Sequence, residues 1–231
     1  MKVALFDIDG TIVTKVAKQP TSKQLAYTRA LEDVYGLCDL NYMDYPIFGL
    51  TDIGILYMIL RENGLSHSEI QDQELEFAGR MQEIHHEMAA GREQQYGALP
   101  GARELLTELK FRGVKLGLAT GNYEAIGWFK LRESGLEDFF TFGGFGEDGA
   151  DRADIVARAI IKSGETDKSQ ISLIGDTPHD LDGARRNGVH PRAVATGRFS
   201  MDELKKYADA PEHVIPDMKD LEVAISCLVT I

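Results

Sequence analysis

The stretch Leu5-Phe6-Asp7-Ile8-Asp9-Gly10-Thr11-Ile12 places two carboxylates one residue apart at the end of a short apolar run. Residues 3–6 are apolar and include a β-branched and an aromatic side chain, which is typical of a buried strand in a parallel sheet. Gly10 marks the position at which the backbone can turn out of that strand. Because ionised carboxylates are rarely buried without partners, Asp7 and Asp9 indicate either a solvated strand end or a reactive pair at the edge of a sheet.

The composition of the chain excludes several classes of protein. Its 231 residues are 43% hydrophobic and 27% charged, as in an ordinary globular protein with one large domain or a core and a smaller domain. No apolar run is long enough to span a membrane. The formal net charge of −12 disfavours nucleic acid and anionic membranes, so we expect neither as a partner. The two cysteines, Cys38 and Cys227, are far apart, which favours incidental thiols in a reducing compartment and a cytoplasmic protein.

Two different patterns of apolar residues predict two structural units. From about Pro20 to Tyr96 the sequence shows helical apolar spacing without strand-like alternation, and it predicts four helices. The third begins at a Ser66 or Ser68 cap, and the fourth covers residues 73–90. From residue 97 onward, helical patterns alternate with short strands, which are predicted at residues 114–119, 139–142, 171–174, 193–195 and 213–215. This alternation is typical of an α/β fold with a doubly wound parallel sheet. We therefore predict a Rossmann-like core of residues 1–14 and 97–231, with an all-helical cap domain of residues 15–96 inserted after the first strand.

Three of the predicted strands end in polar residues instead of apolar ones. The strand-end groups are Asp7 with Asp9, Thr120 with Asn122, and Asp176 with Asp180. In open parallel sheets, ligands bind beyond the carboxyl ends of the strands. The fold would thus bring all three groups to one edge, where they form a candidate site.

The four aspartates at this edge predict a bound cation. Carboxylates so close together raise one another's pKa and resist ionisation unless a positive charge is present. Oxygen ligands without a nearby His or Cys favour a hard ion, Mg²⁺ above other metals. An aspartate can attack phosphorus to give an aspartyl-phosphate, and a second carboxylate two residues on can move protons for the leaving group and for water.

These strand ends resemble the first, second and fourth motifs of the haloacid dehalogenase superfamily, in the form found in phosphoglycolate phosphatase-like members with a helical cap. The motifs are Asp7-Ile8-Asp9-Gly10-Thr11, Ala119-Thr120-Gly121-Asn122 and Gly175-Asp176-Thr177-Pro178-His179-Asp180. The resemblance implies a nucleophile and Mg²⁺ ligand in Asp7, and a general acid/base in Asp9 that binds the metal through its backbone carbonyl. It implies that Thr120 holds the transferring phosphoryl group. Asp176 would complete the metal site, and Asp180 would bind the metal through water or lie just outside it.

The third motif of the family departs from its common form in this sequence. The family usually supplies a lysine before the helix that precedes the fourth motif, and here Arg152 stands at that place. An arginine can neutralise both the nucleophile and a phosphate. Lys130 and Lys162 are the alternative cations, and Lys130 is disfavoured because it lies inside a helix instead of at its amino end.

Five further residues are expected to contact the substrate. Gly10, Gly121 and Asn122 belong to the motifs, whereas Thr51 and Asp52 lie in a loop that would overhang the pocket from the cap. Thr51 and Asp52 also make a good helix start, so a purely structural role stays open for them. The two crossings between cap and core, residues 14–18 and 96–101, are predicted to act as hinges for closure.

The predicted function is that of a Mg²⁺-dependent phosphatase acting on a small phosphorylated metabolite through an aspartyl-phosphate on Asp7. A phosphomutase would use the same intermediate but pass the phosphate to a sugar. A non-hydrolytic phosphoacceptor in signalling would keep its phosphate, and Asp9 argues against this alternative because a second acid would activate water. The partner would be the metabolite alone, and the protein a monomer or small homo-oligomer.

Overall fold

A computed structural model describes residues 1–228 of the chain, and its centre is a parallel β-sheet. Eight strands are present in the described part, namely β1 (Val3–Phe6), β2 (Val13–Lys15), β3 (Tyr96–Ala98), β4 (Lys115–Ala119), β5 (Gly143–Gly144), β6 (Ile171–Gly175), β7 (His190–Val194) and β8 (Val214–Ile215). Six of them form the sheet in the order β5-β4-β1-β6-β7-β8, and all its neighbouring strands are parallel. The fold is thus the predicted doubly wound, Rossmann-like one.

Helices cover both faces of this sheet and form the insert after β1. In chain order they are α1 (Ser22–Tyr35), α2 (Asp52–Glu62), α3 (His67–Ala89), α4 (Ala102–Phe111), α5 (Glu124–Glu133), α6 (Arg152–Ser163), α7 (Pro178–Asn187), α8 (Met201–Leu204) and α9 (Leu221–Leu228). No helix of the described residues is long and apolar enough to cross a membrane.

Strand β1 lies in the middle of the sheet and organises both sides of the core. Its side chains alternate between the two faces, as they must in any strand. Ala4 and Phe6 pack with residues of α4, α5 and α9, whereas Val3 and Leu5 pack with residues of α6 and α7. Because β1 is hydrogen-bonded to β4 on one side and β6 on the other, the strand order switches direction here. Such a switch point is where ligands bind in α/β sheets.

The insert has an apolar cluster that Tyr123 and Ile126, at the start of α5, also join. Helices α1, α2 and α3 enclose buried side chains that include Tyr27, Leu56 and Phe77. The two helices predicted after Ser66 are a single helix, α3, which Ser66 and Glu69 begin with a reciprocal capping box. The prediction of a break was wrong because the polar positions near residue 72 lie on the exposed face of a continuous helix.

The two crossings between insert and core are paired with each other. Strand β2 runs antiparallel to β3, with Val13 opposite Ala98 and Lys15 opposite Tyr96. The sequence patterns did not predict this two-stranded ribbon. The domain limits at residues 14 and 97 stay a prediction, and residues 229–231 of the predicted core lie outside the described part.

The aromatic strand predicted at residues 139–142 is wrong. A short 3-10 helix occupies Glu137–Phe139. The strand of this region is β5, which consists of the two glycines Gly143 and Gly144. A Cβ at Gly144 would overlap the backbone oxygen of Ile155 in α6, so only glycine lets this strand approach that helix. The aromatic residues that suggested a strand instead fill the core, where Phe140 meets Phe6 edge to face.

Candidate functional site

A pocket of about 340 Å³ lies between the carboxyl edge of the sheet and the helical insert. Its floor is formed by motif residues of β1, β4 and β6, and its roof by the loop before α2 and the start of α1. Members of all three strand-end groups therefore line one cavity, whereas Asp180 is completely buried and does not line it. Asp7, Asp9, Thr120, Asn122, Arg152 and Asp176 all line it.

Asp7 is buried directly beyond the end of β1. Only 4% of the residue is exposed, and its backbone N–H donates to the carbonyl of Ile174 at 3.0 Å. Arg152, the first residue of α6, places Nη1 3.4 Å from Asp7 Oδ1 and Nε 3.1 Å from Asp180 Oδ1. The arginine predicted for the third motif thus reaches the predicted nucleophile.

Asp7, Asp176 and Asp180 each offer an oxygen within 4.8 Å of the others, and all three residues are buried. Burial raises the pKa of Asp7 to about 6; Arg152 opposes this rise, and Asp180 and Asp9 add to it. Burial also raises the pKa of Asp176 well above its usual value, with further contributions from Asp7 and Asp180. Three buried carboxylates with a single guanidinium among them fit a divalent cation with oxygen ligands, and Mg²⁺ is one such ion.

Small residues leave room around Asp176. Gly10 has a φ of +76°, and a Cβ at this position would lie 2.5 Å from Asp176 Oδ2. A Cβ at Gly197 would overlap the same oxygen. Thr11 donates to the other oxygen of Asp176 at 3.1 Å. Gly10 therefore acts on the site through its backbone and its lack of a side chain.

Asp180 is completely buried at the start of α7. Its Oδ2 accepts hydrogen bonds from the backbone N–H of Thr177 at 3.1 Å and from the Thr177 hydroxyl at 2.7 Å. The bond from Thr177 N and a reciprocal bond from Asp180 N to Thr177 Oγ1 form a capping box, so Asp180 begins α7 and faces the carboxylate cluster at the same time.

The carboxylate of Asp9 has different neighbours. Its side chain is about half exposed, at 47%, and its Oδ2 lies 2.6 Å from Lys130 Nζ. The Asn122 amide donates to the same oxygen at 2.8 Å. Burial raises the pKa of Asp9, but the ammonium groups of Lys130 and Lys23 outweigh it, and the pKa lies below its usual value. The side chain of Asp9 does not belong to the carboxylate cluster found among the described residues.

The second motif connects these groups. Asn122 Nδ2 donates to Thr120 Oγ1 at 2.8 Å, and Asn122 Oδ1 accepts from both Lys23 and Lys130 at 2.8 Å. Gly121 lies against the insert, because a Cβ at this position would come within 2.7 Å of the Leu50 carbonyl.

Thr51 and Asp52 join the insert to the core. Thr51 Oγ1 accepts from Gly54 N at 2.9 Å, which begins α2, and donates to the carbonyl of Ala150 at 3.0 Å. The Asp52 carboxylate accepts from Tyr123 N at 3.0 Å and from Lys23 Nζ at 2.7 Å. Asp52 lines the pocket, and the predicted substrate contacts of both residues stay predictions.

Two lysines that the sequence patterns did not assign to the site, Lys23 and Lys130, reach it in the structure. Lys23, in the first turn of α1, was not considered, and Lys130 was disfavoured for its place within a helix. Lys130 occupies the buried stripe of α5 beside Ile126 and Leu131, and a charged residue on such a stripe was the signal available in the sequence. Lys162 lies elsewhere and donates to the Gly143 carbonyl at 2.7 Å.

Known proteins share this architecture. A family model described as haloacid dehalogenase-like hydrolase matches residues 4–194. A hydrolase from Pseudomonas syringae superposes with a TM-score of 0.70 at 20% identity, covering 100% of both chains. A structure from Haemophilus somnus, described as a predicted phosphoglycolate phosphatase, gives a TM-score of 0.64 at 18% identity over 96% of both chains.

A curated relative is similar over a shorter span. The tyrosine-protein kinase PtkA of Mycobacterium tuberculosis is 30% identical over 109 residues, which are 46% of this chain and 37% of that protein. The match thus spans little more than a third of the relative.

Proposed function

The chain belongs to the haloacid dehalogenase-like hydrolase family, and from this premise we propose that it is a Mg²⁺-dependent phosphatase of a small phosphorylated metabolite. One observation carries the proposal. At the floor of the pocket between the sheet edge and the insert, the Asp7 carboxylate lies beside Arg152 and within 4.8 Å of two further carboxylates. A nucleophile, a fixed cation and a set of hard-metal ligands therefore surround one point, as phosphoryl transfer requires.

Mg²⁺ held by Asp7, Asp176 and the backbone carbonyl of Asp9, with Asp180 behind them, would neutralise the charge of the phosphoryl group. In the first step an Asp7 oxygen attacks phosphorus, the ester P–O bond breaks, and Asp9 gives a proton to the leaving oxygen. In the second step Asp9 takes a proton from water as the water oxygen attacks phosphorus. The bond between phosphorus and Asp7 then breaks, which releases inorganic phosphate. Arg152 balances the negative charge on Asp7 and on the phosphoryl oxygens in both steps.

The pocket beyond Asp9 would hold the rest of the substrate. Its wall is formed by residues of the insert that are mostly apolar, namely Tyr42, Met43, Ile47, Phe48, Leu50 and Ile55. Arg198, from the core, stacks on the ring of Phe48 with its guanidinium carbon 4.1 Å from the centroid. A volume of about 340 Å³ accords with a metabolite and not with a polymer, although it selects no single ester.

The test is a hydrolysis screen over phosphorylated metabolites, with and without Mg²⁺, in which the Asp7→Asn protein is the blank. We expect Mg²⁺-dependent release of inorganic phosphate that falls at least about a thousandfold in Asp7→Asn. Acid quenching followed by mass spectrometry should find phosphate on Asp7. Full activity of Asp7→Asn would contradict the proposal.

The phosphomutase alternative differs in where the phosphate goes. Label supplied on a sugar phosphate would move to a second sugar position instead of appearing as inorganic phosphate. The signalling alternative differs in lifetime, since phosphate on Asp7 would persist for minutes in the wild-type protein. Both experiments use the same quench and the same Asp7→Asn blank.

A further inference from the structure

Lys130 is a buried charge that the proposed chemistry has not used. It is 3% exposed and lies on the inner face of α5, between apolar neighbours. Burial of an ammonium group costs free energy unless partners replace its water. The site supplies such partners, because Lys130 Nζ donates to Asp9 Oδ2 at 2.6 Å and to Asn122 Oδ1 at 2.8 Å, and it lies 5.0 Å from the centre of the Tyr96 ring.

The hydrogen bonds to the Asp9 carboxylate go to only one of its two oxygens among the described residues. Lys130 and the Asn122 amide both donate to Oδ2, and no donor among residues 1–228 contacts Oδ1. The amide of Asn122 is itself fixed, since its oxygen accepts from Lys130 and Lys23. Two donors on Oδ2, joined to each other by the bond from Lys130 to Asn122, restrict rotation of the Asp9 carboxylate more than a single contact would.

Arg152 does not share this task. Its contacts are with Asp7, Asp180 and the carbonyl of Ala119, and none is with Asp9. Each carboxylate of the first motif therefore has a cation of its own, supplied by a different helix. Arg152 comes from α6 at its amino end, and Lys130 comes from the second half of α5.

We propose that Lys130 is a positioning residue for Asp9: together with Asn122 it anchors Oδ2 and leaves Oδ1 as the oxygen that exchanges a proton with the leaving group. This inference rests on the proposed phosphatase function and extends it. General acid catalysis depends on a heavy-atom distance of hydrogen-bond length, so an acid that can rotate away loses much of its effect. The polar contacts of Lys130 are with Asp9 and Asn122 and not with Asp7, so in this proposal it acts through Asp9.

The experiment compares two esters of nearly equal shape that differ in their need for a proton. Phenyl phosphate releases a basic phenoxide that depends on an acid, whereas 4-nitrophenoxide leaves readily without one. The value of kcat/KM is measured for both esters with the wild-type protein and with Lys130→Met, whose side chain has similar length but no charge. This ratio does not depend on how much of the variant is folded.

We expect Lys130→Met to lose about a hundredfold in kcat/KM on phenyl phosphate and less than about tenfold on 4-nitrophenyl phosphate. An equal loss on both esters would overturn the inference, because it would indicate a general structural role. A relative gain on phenyl phosphate would also overturn it, since Lys130 would then act only on the charge of Asp9. If the wild-type protein releases phosphate from neither ester and from no metabolite of the screen while Mg²⁺ is present, the proposed function fails and this inference fails with it.

Two further variants complete the design. Lys162→Met is the matched control, because Lys162 is also partly buried over an aromatic ring but contacts no residue of the pocket. It should leave the ratio of the two kcat/KM values unchanged. Asn122→Ala removes the second donor to Oδ2 and should shift the ratio in the same direction as Lys130→Met. A shift in the opposite direction would contradict the anchoring of Asp9.

Discussion

The two halves of the pocket floor balance their charges in opposite ways. The Asp7 half contains Asp7, Asp176, Asp180 and one cation, Arg152, whereas the Asp9 half contains Asp9, Asp52 and two cations, Lys23 and Lys130. In the Asp7 half the pKa of Asp7 is raised to about 6, above all by burial and with Asp180 adding to it. In the Asp9 half the lysines outweigh burial and lower the pKa of Asp9.

This difference separates two kinds of task within one site. The Asp7 half has more negative charge than its own residues can neutralise, so it is suited to receive a cation. The Asp9 half is neutral without any added ion, so its carboxylate can be held in one orientation. Two aspartates with a single residue between them thus have opposite electrostatic surroundings, because β1 ends at Phe6 and the chain turns at Gly10, so the alternation of a strand does not continue through Asp9.

Removal of Arg152 should have the largest effect, because it is the only cation of the Asp7 half. We expect Arg152→Met to lower the free energy of unfolding of the Mg²⁺-free protein by about 3 to 5 kcal/mol, since three buried carboxylates then face one another. Activity should fall at least about a hundredfold. Urea unfolding and phosphate release measure these two quantities.

The control for this variant is Arg158→Met on the same helix. Arg158 is 52% exposed and, within residues 1–228, its ion pair is with Asp148 only, so both stability and activity should stay near the wild-type values. If Arg158→Met were as damaging as Arg152→Met, the comparison between the two halves would lose its electrostatic basis.

The pH dependence of stability should follow from Asp7. Its pKa is raised from 3.8 unfolded to about 6 folded, so the folded protein binds more protons between these values. The contribution of Asp7 to the free energy of unfolding of the Mg²⁺-free protein, taken as the wild-type value minus that of Asp7→Asn, should therefore fall as the pH rises from about 4 to about 6, by up to about 3 kcal/mol. Urea unfolding at several pH values in the presence of a chelator measures this fall.

Two changes should remove part of this pH-dependent fall in the free energy of unfolding. Saturating Mg²⁺ compensates the ionised carboxylates, and Asp7→Asn has no proton to lose. A difference in the free energy of unfolding between the Mg²⁺-free wild-type protein and Asp7→Asn that grew in favour of the wild type over the same pH interval would contradict the charge balance described for the Asp7 half.

Removal of Lys23 should have the smallest effect of the three. Lys23→Met takes one cation from the Asp9 half, but Asp52 keeps its bond from Tyr123 N and Asp9 keeps Lys130. We expect a loss of about 2 kcal/mol in the free energy of unfolding, measured by urea. Lys18→Met, at an exposed position, serves as the control. A loss as large as that of Arg152→Met would mean that the Asp9 half is no better balanced than the Asp7 half.

Much of the fold could be read from local patterns. Strand β6 was predicted at residues 171–174 and lies at Ile171–Gly175, because a short apolar run ends there in Gly175 and Asp176. Strand β5 could not be predicted, since two glycines have no strand propensity and are selected only by the close approach of α6. The ribbon of β2 and β3 was missed because its strands are three residues each and distant in sequence.

The candidate site shows the same division. The grouping of Asp7, Thr120 and Asp176 followed from the sequence, because parallel strands bring their carboxyl ends to one edge. Lys23 and Lys130 could not be placed in the same way. Their distances to Asp9 and Asp52 depend on how α1 and α5 pack on the sheet, and no local rule specifies that packing.

The sequence by itself determined which residue types stand at the strand ends and the order in which the chain presents them. Apolar periodicity and turn residues act over a few positions, so the secondary structure that they indicate can be predicted without a structure. Only the tertiary structure decided which cation neutralises which carboxylate, because charge pairing depends on distances between elements that are far apart in the chain. Asp7 and Asp9 are the same residue type in the sequence, and the helices packed around β1 give them different partners.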